Sequence, residues 1–590
     1  LVTTIKDTLY TFTGLTLGTS YSFSVSALKT DDSSVSARVG PVSVTPTYLG
    51  PWYVATSGGK SPNNAQNNSE YGSKNYPINH LTNALEVAAA GDTIVMMEGT
   101  HSGVTNRNLS IEKQIVITGD PSKGPDKTII DAEYKARHFL FDNSTYQNEI
   151  AADSSWVIQN ITLYRGMATG NDWQDTGGSV RLSGTNSPRF FNVIFRENKD
   201  ETSQYWTGAA IFVEGESILN VDQCQFIDNK TTNLDGDPNG GAIGLNSYGS
   251  SPHKINASIF KGNEVKGKYS ASGSAIATNS AVFITNSLFY NNLVSAEQGA
   301  ARGAIWVEAP SSYYNKYSLF INNTIANNDA SEVSGQNNVS GLYLRDYDYH
   351  SVNDVQQEKH TIYAFNNIIY GNKVSQNVAP AQIDNFDLKS DYQILQNLDQ
   401  ALLTNPELSF DYTYDVDPGF TDPANGDFSL SGTSLALGKG TANWDTYIAL
   451  SAPLYDITGK ERPAPIGTNP DLGAYENGLG KSPAPPPIQG LTARGGSGQI
   501  ELTWNALAEA DSIYKIYQYD QSFSVSAERF VAKTTSTTYT ATGLDNAKRY
   551  YFKVTAVNKA GFESAPASID LSPSHTGPIW WVATNGSDQN

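Results

Sequence analysis

Carboxylates, guanidinium groups and large aromatic rings gather in one stretch of this 590-residue chain. Asp172, Asp175, Glu214, Glu216, Arg181, Arg302, Glu308, Arg345, Asp346 and Asp348 supply the groups that acid–base chemistry uses. Hydrolysis of a glycosidic bond needs two carboxyl groups about 5–9.5 Å apart. Eliminative cleavage of an acidic sugar chain needs a base beside a neutralised carboxylate. The spacing of these residues specifies neither reaction, and charges on alternate strand positions ordinarily serve solvation. Trp173, Tyr205 and Trp206 offer another chemistry, because flat apolar faces with a polar edge stack on sugar rings; the other reading is that they cover neighbouring parts of the fold. Asp235-Gly236-Asp237-Pro238-Asn239 sets the oxygens of Asp235, Asp237 and Asn239 at alternate positions of a turn, as a Ca²⁺ loop does, without the downstream Glu of an EF-hand. A solvated Asx-turn explains the same residues.

The elements that position these groups repeat. One motif is a Gly/small–small–aliphatic tetrad: Gly177-Gly178-Ser179-Val180, Gly208-Ala209-Ala210-Ile211, Gly240-Gly241-Ala242-Ile243, Gly273-Ser274-Ala275-Ile276 and Arg302-Gly303-Ala304-Ile305. The other sets Asn three places after an apolar residue: Phe195/Asn198, Phe226/Asn229, Phe260/Asn263, Phe289/Asn292, Ile325/Asn328 and Ile369/Asn372. The aliphatic position recurs after 31, 32, 33 and 29 residues (180, 211, 243, 276, 305), so one structural unit is copied along the chain. Residues around each Phe alternate polar and apolar, as in Ile218 to Phe226, which predicts short half-buried strands. Stacked as parallel coils, Phe meets Phe and Ile meets Ile at roughly 4.8 Å. The Asn is expected at a left-handed corner, hydrogen-bonded along the stack. Between each Asn and the next tetrad lies a polar insertion of differing sequence, and the repeat sends these insertions out on one face, the usual recognition surface of a solenoid.

Composition narrows the function classes. Charged residues are only 17%, with 39 basic against 59 acidic and a formal charge of −20, which argues against nucleic-acid and acidic-lipid partners. The lone cysteine, Cys224, sits in an alternating strand and reads as a small core residue. No apolar run approaches the roughly 18 residues of a membrane span, so no membrane insertion is expected in this segment.

Residues 1–48 resemble the C-terminal half of a fibronectin type III domain, with Leu15 six residues before Tyr21 as in a tyrosine corner. Leu544 and Tyr550 repeat the pattern in a complete copy at 487–576, behind the Pro-rich linker 481–486 and with Trp504 as the expected core Trp. Leu15 to Leu544 is 529 residues; Val54, in Trp52-Tyr53-Val54-Ala55-Thr56, to Val582, in Trp580-Trp581-Val582-Ala583-Thr584, is 528. The chain therefore reads as slightly more than one period of a tandem array, with 577–590 starting a second copy. Residues 49–375 are predicted to be a right-handed parallel β-helix in an all-β chain, its first end covered by an amphipathic helix near Asn79–Ala90. Residues 376–480 supply C-terminal coils and a closing module. Its ordered blocks, ending in Asp471-Leu472-Gly473-Ala474-Tyr475-Glu476, resemble the C-terminal part of secreted bacterial β-helix proteins, which implies secretion.

The alternating tetrad and F-x-x-N motifs resemble the repeats of the chlamydial polymorphic outer-membrane proteins, surface β-helix adhesins. That resemblance implies an adhesin or structural fibre at the cell surface or outside the cell. Its expected partners are neighbouring copies of the array, other surface proteins and glycans. The alternative is a polysaccharide lyase or glycoside hydrolase on the same fold.

Overall fold

The computed structural model describes residues 12–27, 35–62, 69–142, 156–308, 317–330, 338–345, 360–373, 416–445, 449–481, 484–507, 513–519, 529–557 and 563–574, with backbone strands alone between 351 and 356 and between 378 and 414. The 577–590 repeat start, Asp346 and Asp348 lie outside the described residues. The chain divides into two compact units, Leu1–Thr202 with Gly208–Gln225, and Ser203–Thr207 with Phe226–Asn590.

In the first unit, Tyr21–Val25 and Val39–Val44 form an antiparallel pair. The Tyr21 hydroxyl accepts from the Thr16 backbone N–H at 3.0 Å, as a tyrosine corner requires. The helix Leu81–Val87 follows, burying Leu81 and Ala84. The Lys113 Nζ donates to the carbonyls of Leu85 and Ala88 at 2.8 Å each, satisfying groups that a helix end leaves unpaired. Parallel coils then begin. One coil reads Val180–Ser183, Arg189–Phe191, Ile194–Arg196 and Lys199–Thr202, four strands joined by tight corners. Ile130, Leu163 and Phe195 stand in register, as do Phe139, Val180 and Ile211.

The second unit continues the pattern as a parallel β-solenoid. Phe260, Phe289, Ile325, Ile369 and Leu395 are successive register partners, and so are Ile243, Ile276, Ile305 and Leu342. The rings of Phe226, Phe260 and Phe289 stack at 4.5 and 4.6 Å with planes 3° and 9° apart. The tetrads are small because backbones close on them: a Cβ at Gly241 would lie 2.1 Å from the Ser274 carbonyl oxygen.

The corner differs from expectation in one respect. Asn198, Asn229, Asn263, Asn292, Asn328 and Asn372 are not the left-handed residues; Glu197, Asp228, Gly262, Asn291, Asn327 and Gly371, one place earlier, are. The turn is made by the residue before the Asn, which frees the Asn side chain to point inward and bond along the axis. Cys224 is buried as expected; its Sγ accepts from the Val193 N–H at 3.4 Å, and burial pushes its thiol up to about 12.

Residues 416–445 and 449–478 pack on the flank of the solenoid. Leu430, Ala436, Leu437 and Leu472 cluster with Ile368, and Phe428 clusters with Leu288, Tyr290 and Ala326. Arg462 donates to Glu476 Oε2 at 3.1 Å, to Asn286 Oδ1 at 2.9 Å and to the Gly473 carbonyl at 3.2 Å. Beyond Ile488, two antiparallel sheets, of Thr492–Gly496, Gln499–Thr503 and Thr538–Thr542 and of Ile513–Tyr519, Arg529–Thr534, Tyr550–Val557 and Ala567–Leu571, enclose Trp504, Tyr514, Ile516 and Phe552. The Tyr550 hydroxyl accepts from the Asp545 N–H at 2.8 Å, a second tyrosine corner. Among the described residues, no helix is long and apolar enough to cross a membrane.

Candidate functional site

The parallel register sends insertions out of one edge in each unit. In the first unit, Met167–Gly170 pairs with Lys199–Thr202, and the insertion after the former carries Trp173. Trp173 opens a short 3-10 turn, Trp173–Asp175, whose backbone is fixed three ways. Asp172 accepts from Gln174 N–H at 3.3 Å, Asp175 accepts from Asp172 N–H at 3.1 Å, and Arg137 donates to the Gln174 and Asp175 carbonyls at 2.9 and 3.0 Å. The Arg181 guanidinium lies 4.8 Å from the Trp173 ring centroid and pairs with Glu214. One ring face is thus held by a cation while the side chain stays 52% exposed. Burial raises the Glu214 carboxyl; it lowers Arg137 and Arg181, and each guanidinium has carboxylates close enough to oppose that shift. Two guanidiniums, Arg137 and Arg181, here face five carboxylates, Asp142, Asp172, Asp175, Asp200 and Glu214.

In the second unit, Tyr205 is 49% exposed and meets Trp206 edge-on, with centroids 6.2 Å apart. Trp206 is half-buried against Ala277, Trp306, Val339 and Tyr343. Trp206 therefore covers neighbouring coils, one of the two readings its sequence allowed, and keeps part of its surface at solvent. Trp306 was missed in the sequence, although it follows Gly244 and Ala277 in one register row, a change from small to bulky that continues in its next partner, Tyr343.

The three residues of the Asp235–Asn239 turn have separate environments. Asp235 is exposed and its N–H donates to Asn233 Oδ1 at 3.1 Å, the Asp237 Oδ1 accepts from the Ser270 N–H at 2.7 Å, and Asn239 is buried in bridges to Trp206 and Ser272. Among the described residues, no three His, Cys, Asp or Glu side chains gather as a metal site. Arg302 donates to Ser270 Oγ at 3.3 Å, and Glu308 pairs in register with Arg345. A cavity of about 590 Å³ that no motif announced lies in the first unit, between Tyr53, Lys74, Asp92, Asp120 and Gln159.

Residues 485–570 match the fibronectin type III domain. This part of the chain is a fibronectin type III domain. The match accounts for the sandwich, the buried Trp504 and the corner at Tyr550. A Fn3-like protein from Clostridium thermocellum is 32% identical, with 15% of this chain and 94% of that one covered and a TM-score of 0.14. A beta-1,2-glucanase from Parabacteroides distasonis is 21% identical over 18% of this chain and 15% of its own, with a TM-score of 0.13. Among curated proteins, an amylopullulanase of Thermoanaerobacter thermohydrosulfuricus is 35% identical over 100 residues, 17% of this chain. The chain spans 6% of that relative's length.

Proposed function

We propose that this chain is a segment of a repetitive bacterial surface protein, an extracellular adhesin or stalk that contacts glycans through the insertions of its β-solenoid. The solenoid and the fibronectin type III domain suit a surface or structural protein. The observation that carries the glycan reading is the Trp173 ring, exposed on an insertion yet fixed by Arg181 beneath it and a capped turn around it. A preoriented ring loses little entropy on stacking, and the surrounding carboxylates and guanidiniums suit sugar hydroxyls. Repeated weak sites would gain avidity where several engage together. Neighbouring copies of the array are the partners that a stalk implies.

Binding of the intact chain to immobilised glycans tests the contact, and electron microscopy of native material tests the stalk; compact isolated particles would count against it. The half-buried Glu214 beside Arg181 favours a second reading, cleavage of the bound glycan. New unsaturated or reducing ends after incubation with polysaccharides would establish that reading instead.

A further inference from the structure

Beside Trp206 runs a strip of buried polar atoms that have no hydrogen-bond partner among the described residues. Trp206, Asn239 and Ser272 are joined by successive isolated parallel β-bridges, and Ser272 pairs in turn with Arg302. Register partners point to the same side, so the Asn239 and Ser272 side chains leave the sheet on the side from which Trp206 projects. Asn239 Oδ1, Asn239 Nδ2 and Ser272 Oγ are all buried and unpartnered. Trp306, 1% exposed, bounds the strip; its ring lies 5.5 Å from that of Trp206 at a tilt of 32°, and its Nε1 is a fourth unpartnered atom.

The repeat does not require this arrangement. Asn229, Asn263, Asn292 and Asn328, equally buried, are each bonded to the next ladder Asn at 2.9 Å. A buried polar group left unpaired destabilises the fold, so apolar residues at 239 and 272 would serve stability better. Groups kept against stability mark a site of function. The set comprises an amide that donates and accepts, a hydroxyl, an indole N–H and two indole faces. A pyranose presents the matching set, hydroxyls that donate and accept around a C–H face. None of the four side chains is charged, which suits a neutral ring.

We infer that Trp206, Asn239, Ser272 and Trp306 form a subsite for one neutral sugar ring, entered when the half-buried Trp206 swings outward. The inference rests on the glycan-contact reading and gives it a ligand class. The test uses the intact chain, titrated with neutral gluco-, galacto- and manno-oligosaccharides and with uronate oligosaccharides, read by calorimetry and tryptophan fluorescence. Asn239→Leu is expected to raise the melting temperature while weakening neutral-glycan binding about tenfold, and Ser272→Ala to weaken it about two- to tenfold. Wild-type binding of a neutral glycan with unchanged affinity in both variants overturns the subsite and leaves the general reading standing. Wild-type binding of uronates alone also overturns the subsite. Binding of no glycan overturns both.

Discussion

The side chains of Asn263 and Asn292, 29 residues apart, meet in a buried Nδ2–H···Oδ1 bond of 2.9 Å, and the same Asn292 Oδ1 accepts the Asn263 backbone N–H at 3.0 Å. Asn292 Nδ2 donates onward to Asn328 Oδ1 at 2.9 Å and to the Phe260 carbonyl at 3.0 Å. One amide thus satisfies groups in three coils. Asn292→Ala strands the Asn263 donors inside the core, at about 1–3 kcal/mol for each group. Calorimetry should show the solenoid transition shifted several degrees down, with the fibronectin type III transition unmoved. An unshifted solenoid transition would mean that the ladder is incidental.

His138 is buried, with Nε2 2.9 Å from the Ile130 carbonyl and Nδ1 2.9 Å from Ser179 Oγ. The carbonyl requires a donating Nε2–H, and Nδ1 can accept from the Ser179 hydroxyl, so the neutral ring fits. Burial pushes its pKa down to about 4, and that of His253 to about 3. Between pH 6.5 and 4 the unfolded chain binds more protons at these rings than the folded chain, so stability is complete above pH 6.5 and falls with pH through that window. At pH 5 the loss is about 2 kcal/mol for each ring. Melting curves from pH 8 to 5 check this; a constant melting temperature would contradict it.

Arg462 and Glu476 form an ion pair with side chains 1% and 0% exposed. Asp456 and Asp471 are buried beside them, held by backbone donors such as Glu476 N–H at 2.9 Å and Asn477 N–H at 2.7 Å. Replacing the cation by an apolar residue of similar length leaves buried carboxylates uncompensated. Arg462→Met should therefore cost about 3–5 kcal/mol and expose residues 416–478 to limited proteolysis. Wild-type protease resistance would refute the role of this pair.

A Ca²⁺ ion at the 235–239 turn needs Asp235, Asp237 and Asn239 to converge. In the structure Asp237 is engaged by Ser270 and Asn239 is buried. The melting temperature is therefore expected to be the same in chelator and in millimolar Ca²⁺. A clear rise with Ca²⁺ would show that the turn rearranges around the ion.

The solenoid was legible because its core positions repeat in type: Phe260 and Phe289, Ile243 and Ile276, Asn263 and Asn292 each face a copy of themselves. The left-handed corner was harder to place, since Glu197, Asp228, Gly262 and Asn291 share a backbone conformation but no single residue type. The Asp471-to-Glu476 block was legible as a motif, yet its physical work was hidden. Arg462 reaches Asn286, 176 residues away, and Asn322 donates to the Asp471 and Gly473 carbonyls from 149 and 151 residues away. No local spacing encodes such contacts. Trp173 was readable as a surface ring, but the guanidinium that holds it was one of many scattered charges.

The most direct test is glycan binding by the intact chain and by Trp173→Ala and Tyr205→Ala, each compared at matched melting temperature. Both side chains are about half exposed, so neither change should unfold the protein. Wild-type binding is expected, weakened about tenfold in at least one variant, as the loss of a stacking ring implies. Wild-type protein that binds no glycan, or variants that bind as tightly as wild type, would contradict the glycan reading.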